Sequence, residues 1–320
     1  MVNSYFFVIL SSSEGSSETH SSSSKKGDAG TRPTSSGQAP SAMTSSSSVT
    51  PVSVPGSASS GSRHSGPDPE SSSSSEYVPF DHSKTLAEDW RIGENRYKTF
   101  VDPRNGRSYY YITIPGRVFK EMGANGKAIW TEDTVTVMAE NLNIGKMVLG
   151  EDDQNDDGAI ERYCYNNDTT YCDEYGGLYQ WAEMMQLPSR CNTESCSDLI
   201  QPNHRGICPE GWRLMTYTDF YIAWHAETNE YGIEGVRSAY LFNGYNSSGL
   251  SLTGAGMRNA KGGFSGLYEK TAWFHPKEYE DDKDIRVHHG LVSAKNESSP
   301  QQNHRELKTK GFSVCCIKLE

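Results

Sequence analysis

Apolar positions are unevenly spread along this chain, and changes in their spacing mark its elements. A short apolar start, Tyr5 to Leu10, is followed by a stretch with no Phe, Tyr or Trp until Tyr77. Beyond it the spacing is regular. "RYKTFVDPRNGRSYYYITIPG" predicts a hairpin, with strands Tyr97 to Val101 and Ser108 to Ile114 around the turn "DPRNG". "TVTVMAENLNIG" starts as a third strand, Val135 and Val137 on one face, and runs into a polar loop. The period then becomes helical. In "EYGGLYQWAEMMQLP", Leu178, Trp181, Ala182 and Met185 fall at i, i+3, i+4 and i+7, which predicts a helix ended by Pro188. "MTYTDFYIAWHAETNEYG" predicts a second helix. Thr216 and Asp219 make a capping-box-like start, Phe220, Ala223 and Trp224 form the stripe, and Gly232 lies past the end. After Gly235 come short β-like runs, "GLSLTGAGMR", "TAWFH", "DIRVHHGLVSA" and "GFSVCCIKL". Strands, two helices and more strands predict an α+β domain with a largely antiparallel sheet and a long loop-rich region.

Composition divides the chain. From Ser11 to Ser75, 27 of 65 positions are serine. Such a segment buries too little apolar surface to offset its ordering entropy, so residues 11–76 are expected to be a disordered Ser-rich linker. Residues 1–10 read as the remnant of an export signal or as a tail. "YFFVIL" is shorter than a signal core, lacks a preceding Lys or Arg, and cannot span a membrane. Residues 77–96 are a lead-in, and 97–320 suffice for one core. The net charge of −11 argues against nucleic acid and anionic membranes as partners.

The sharpest local signal is "GEDDQNDDGAIERYC". Counted from Asp153, positions 1, 3 and 5 are Asp153, Asn155 and Asp157. Gly158 stands where a sharp turn needs positive φ, Ala159 offers a carbonyl, and Glu161 is position 9. This follows the front of an oxygen-rich calcium loop, although Cys164 replaces the closing Glu. The loop reads as a weak Ca2+ site or an unliganded acidic turn.

Catalytic signatures are weak. Glu174 and Glu183, or Asp281 and Asp282, are carboxylates that nothing in the sequence places across a cleft, and surface charge is the commoner role. His288 and His289 alternate on a strand. The protein is therefore read as no enzyme. A ligand-binding surface has candidates in Trp273, Phe274 and Tyr279 with Arg258 and Asn259, since aromatic faces with nearby amides suit sugars; core packing is the alternative.

"VMAENLN", "CYNND" with Cys172, "YGGLYQWAEMM", "GICPEGWRLMTYTDF", "GAGMRN" with "GGFSGLYEKTAWF", and "KGFSVCCIK" occur in that order. Over about residues 97 to 320 this resembles the Fibrobacter succinogenes major paralogous domain. The resemblance implies a secreted or envelope-attached protein at the outer surface, a C-type lectin-like fold, and no established catalysis. It makes a binding or adhesion module the first expectation, with plant cell-wall polysaccharide as ligand. A structural envelope protein without a glycan ligand, or a hydrolytic enzyme, are the alternatives. Relatives often carry a lipid-anchoring cysteine before a Ser-rich spacer, and "VILSSSEGSS" has the spacer but not the cysteine. "GRVFKEMGANGKAIWTED" reads as an insertion after the first hairpin.

The seven cysteines form no CxxC pair and suggest disulfides of an oxidising compartment; buried thiols in a reducing one are the other reading. Spacing alone fixes no connectivity. Proximity favours Cys164–Cys172 and Cys191–Cys196, and Cys208–Cys316 would close a long loop. Adjacent strand residues face opposite sides, so Cys315 is expected to remain a buried thiol or form an intermolecular link.

Overall fold

The computed structural model describes residues 77–88, 96–295 and 301–320. Residues 1–10, read as an export remnant or a tail, and the Ser-rich segment 11–76 lie outside the described residues.

The first hairpin forms as its alternation predicts. Strand β1 (Lys98–Val101) pairs antiparallel with β2 (Ser108–Met122), Phe100 opposite Tyr109. Strand β2 continues past Ile114 and pairs with β3 (Ala128–Met138). The apparent insertion is thus the outer half of one two-stranded ribbon. Next, β4 (Lys146–Val148) and β5 (Glu161–Tyr163) run parallel, so the acidic stretch is the crossover that a parallel pair requires. Helix α1 (Thr169–Tyr175), strand β6 (Leu178–Tyr179), helix α2 (Trp181–Met185), strand β7 (Trp212–Leu214) and helix α3 (Tyr217–Trp224) follow. Then come β8 (Ala255–Arg258), β9 (Phe264–Leu267), β10 (Lys270–Glu278), β11 (Arg286–Ser293), β12 (Gln301–Leu307), β13 (Phe312–Ser313) and β14 (Cys316–Lys318). They make three sheets, in the orders β1-β2-β3-β14-β7, β12-β11-β10-β8-β9 and β13-β6-β5-β4.

This architecture corrects the expected α+β, C-type lectin-like fold with two helices. The described residues are mostly β, and their three α-helices are short. The first predicted helix fails for a tertiary reason. Leu178 and Tyr179 satisfy a helical stripe, yet they pair as strand β6 with Phe312 and Ser313, leaving five residues of helix from Trp181. The second helix holds, with both arms of its capping box formed by Thr216 and Asp219. The expected loop-rich region is a five-stranded sheet. Its strand β10 is buried at five consecutive positions from Thr271, which marks a strand covered on both faces. Trp273 lies across from Gly290, where any Cβ would collide with the indole.

One core joins these layers. Ile112, Val137, Trp181, Phe220, Trp273, Phe274 and Phe312 belong to it. The disulfides are Cys164–Cys172, Cys191–Cys196 and Cys208–Cys316, with Cys315 a free buried thiol.

The lead-in is anchored to this body by a 3-10 turn, His82–Thr85. Thr85 is buried, and its carbonyl accepts from Ser238 Oγ at 2.8 Å and Asn246 Nδ2 at 3.2 Å. His82 Nε2 meets the Asp173 carbonyl at 2.9 Å, and Nδ1 lies 3.1 Å from Glu140 Oε2. Burial pushes His82 down to about 4, helped by Arg107, and burial pushes Glu140 up to about 7. The contact therefore joins a neutral imidazole to a carboxyl that takes up its proton near neutrality.

Candidate functional site

The acidic loop is built without a metal-like centre. Glu161 is buried and folds back, its Oε2 accepting from Asn155 N at 2.9 Å and Asp156 N at 3.1 Å. Asp157 Oδ1 accepts from Ser189 N at 2.7 Å, and Asp153 Oδ1 from Gln180 Nε2 at 2.7 Å. Gly158 does not take the positive φ expected of it, and Ala159 N is held by the Asp156 carbonyl at 3.1 Å. Among the described residues no group of three or more His, Cys, Asp or Glu is gathered to hold a metal. The cation at the loop is Arg258. Its side chain donates to the carbonyls of Gly150 (2.8 Å), Asp152 (3.1 Å) and Thr309 (2.6 Å) and meets Asp153 Oδ1 at 3.3 Å. Its guanidinium lies 4.5 Å from the Tyr163 ring centroid. A residue read as a sugar contact and a loop read as a metal site are thus each other's partner.

The other ligand candidates are not brought together at a surface. Trp273 and Phe274 are 3% and 2% exposed, and Arg258 is 1% exposed. Asn259 N closes a turn on the Gly263 carbonyl, and Tyr279 packs on His288 with Arg305 over its ring. The alternative of core packing applies to the two large aromatics. Of the imagined carboxylates, Glu183 lines a cavity of about 330 Å³ with Asp156, Asp157, Ile160 and Leu187. Burial pushes it up to about 7, and Glu161, Asp157 and Asp156 add to the rise. Glu174 stands elsewhere.

Helix α1 positions Glu174. Asp168 caps its start through Thr170 N at 2.9 Å, Cys172 ties it to Cys164, and Gly176 ends it at φ +83. The "ENLN" motif supplies its far end. Asn141 Nδ2 donates to the Tyr175 carbonyl at 2.9 Å, a group the helix end leaves open, and Asn143 Nδ2 adds a second donor at 2.7 Å to the Cys172 carbonyl, which also accepts from Gly176 N. On this support Glu174 Oε1 accepts from both Tyr175 and Tyr240 hydroxyls at 2.7 Å. Burial, then the Glu174 carboxylate, pushes Tyr240 up to about 12 and Tyr175 in the same direction, so both stay protonated donors. Among the described residues no hydrogen bond is made to Glu174 Oε2. Around it, Tyr268 is 41% exposed and meets the Tyr175 ring at 5.9 Å. Tyr268 also holds φ 62, an uncommon conformation for a bulky residue. Tyr171, Tyr165 and Phe264 continue the face, half-buried. Sequence reasoning singled out Glu174 but not these rings. The one local signal is the density of Tyr around Cys164 and Cys172.

No curated protein and no solved structure matches the chain. The family described as Fibrobacter succinogenes major domain matches residues 134–318, from the inner half of β3 through the last residue of β14. That span holds the three disulfides, helix α1 and Glu174, and the chain belongs to this Fibrobacter succinogenes major domain family.

Proposed function

We propose that this is a non-enzymatic, surface-exposed or secreted binding module that holds neutral saccharide on the Glu174 face. The observation that carries the reading is the carboxylate fixed by two phenols beside partly exposed tyrosine rings. Sugars offer apolar C–H faces to rings and hydroxyl donors to a carboxylate. Export accords with the three disulfides. Among the described residues no helix is long and apolar enough to cross a membrane.

The test is retention of the full chain on cellulose, xylan and mannan. A hydrogen bond to a charged group contributes about 1.5–3 kcal/mol, so Glu174→Gln lowers affinity about tenfold or more. Absence of retention on every polysaccharide sinks the reading and leaves a structural envelope role. Undiminished binding by the variant removes the site.

Calcium is no part of this reading, because the loop's carboxylates serve backbone amides, Gln180 and Arg258. Titration into the millimolar range should leave the melting temperature unchanged. A rise saturating there would restore the weak metal site.

A further inference from the structure

The Glu174 face does not end at one sugar's width. On one side, Tyr240 meets Phe80 at 5.4 Å between ring centroids. On the other, Tyr175 meets Tyr171 at 6.4 Å, Tyr171 meets Tyr165 at 5.6 Å, and Tyr165 meets Phe264 at 5.4 Å. The rings form a run in two segments, Phe80–Tyr240 and Tyr175–Tyr171–Tyr165–Phe264, joined at Glu174, whose Oε1 accepts from both Tyr240 and Tyr175. All but Tyr175 are half-buried, which leaves part of each exposed. Exposed Asn166, Asn167, Asp168, Thr169 and Thr170 lie along the Tyr165–Tyr171 portion and add amides, a carboxylate and hydroxyls. The far ends come from separate parts of the chain. Phe80 belongs to the lead-in, outside the family-matched range, and Phe264 opens strand β9 within it.

We propose that this run is a multi-subsite track that takes an internal stretch of a linear, neutral polysaccharide lengthwise. The inference rests on the saccharide reading of the Glu174 face and names its substrate class. Several shallow rings in series, with hydrogen-bonding groups alongside, match a repeating polyol; a chain end would call for a closed pocket. Glu174 and Asp168 on the run, with the net charge of −11, disfavour polyanionic chains. The lead-in is then part of the binding surface. Its anchoring through Thr85 and His82 holds Phe80 against Tyr240.

The experiment is calorimetric titration of the full chain with β-1,4-linked glucose, xylose and mannose oligomers from two to six units. Affinity should rise with each added unit until the oligomer spans the run. Phe80→Ala and Phe264→Ala should each lower affinity for the longest binding oligomer roughly 2- to 10-fold, the range for a lost aromatic contact. Affinity for the shortest binding oligomer should be unchanged in both, which also reports that the Glu174 face is intact. Equal affinity at all lengths overturns the track while leaving a single saccharide site. Length dependence untouched by both substitutions overturns the assignment of its ends. Failure of every oligomer and every polysaccharide to bind removes the underlying reading instead.

Discussion

Lys308→Met should destabilise the domain by about 3–5 kcal/mol at neutral pH, the cost of breaking a buried ion pair from one side. Lys308 is 0% exposed. Its Nζ lies 2.7 Å from Glu278 Oε1 and 2.9 Å from the Glu194 carbonyl, and 4.6 Å from the Trp181 ring centroid. Glu278 is 4% exposed and also accepts from Cys196 N at 2.8 Å and Ser195 Oγ at 2.7 Å. The pair thus ties the turn after β12 to the Cys191–Cys196 loop and to the end of β10. Removing the ammonium leaves a buried carboxylate with neutral donors only. For a domain of this size the loss corresponds to roughly 6–20 °C in melting temperature. Methionine preserves most of the volume, so the change reports charge more than packing. The double variant Lys308→Met, Glu278→Gln should recover most of the loss, since an amide can keep an acceptor for Ser195 or Cys196 without a net charge. Urea denaturation of the four proteins in the cycle reads this directly. A double variant as unstable as the single one would assign the effect to lost side-chain packing.

Elements set by local chemistry were legible in the sequence. Thr216 and Asp219 cap each other within four residues, so helix α3 follows from adjacent positions. The β1–β2 turn is equally local, its Asp102 N and Arg107 carbonyl joined at 2.8 Å. Leu178 and Tyr179 were not legible, because their state is decided by Phe312 and Ser313, more than a hundred residues on. Trp273 and Phe274 show the same limit from the opposite direction. A short apolar run does not say whether one face or both are covered; that is decided by Phe220 of α3, packed on Trp273, and Phe312 of β13, packed on Phe274. The acidic stretch was legible as a loop but not in its internal bonding, since it joins parallel strands and Arg258, distant in sequence, meets Asp153 and the carbonyls of Gly150 and Asp152. The Glu174 face was only half visible. Glu174 and Tyr175 are neighbours in sequence, but Tyr240 and Tyr268 arrive from distant loops, and no motif records that meeting.

Loss of the Cys208–Cys316 bridge should be the most damaging of the three disulfide deletions. The bridge separates its cysteines by 108 positions, against 8 for Cys164–Cys172 and 5 for Cys191–Cys196. In the chain-entropy account the longest loop contributes about 4–5 kcal/mol and the two short ones about 2–3 each. Position strengthens the ranking. Cys316 opens β14, where it stands opposite Leu214 of β7, while Ile317 pairs with Val137 of β3. The bridge therefore fastens the strand that joins the two halves of the first sheet. Cys315 cannot stand in for its neighbour. It sits one residue before β14, 6% exposed, with Sγ 3.4 Å from the Met138 carbonyl. Burial pushes its thiol up to about 12, so little thiolate exists there to attack another sulfur. Cys316→Ser and the double variant Cys208→Ser, Cys316→Ser should accordingly lose the same stability. Each should show a steeper denaturant dependence than the parent, because the unfolded chain is released from a long closed loop and exposes more surface. Guanidinium denaturation of these two variants beside Cys191→Ser, Cys196→Ser and Cys164→Ser, Cys172→Ser tests the order. A smaller loss for the long bridge than for either short one would place the stabilisation in local loop ordering rather than in the closure of the sheet.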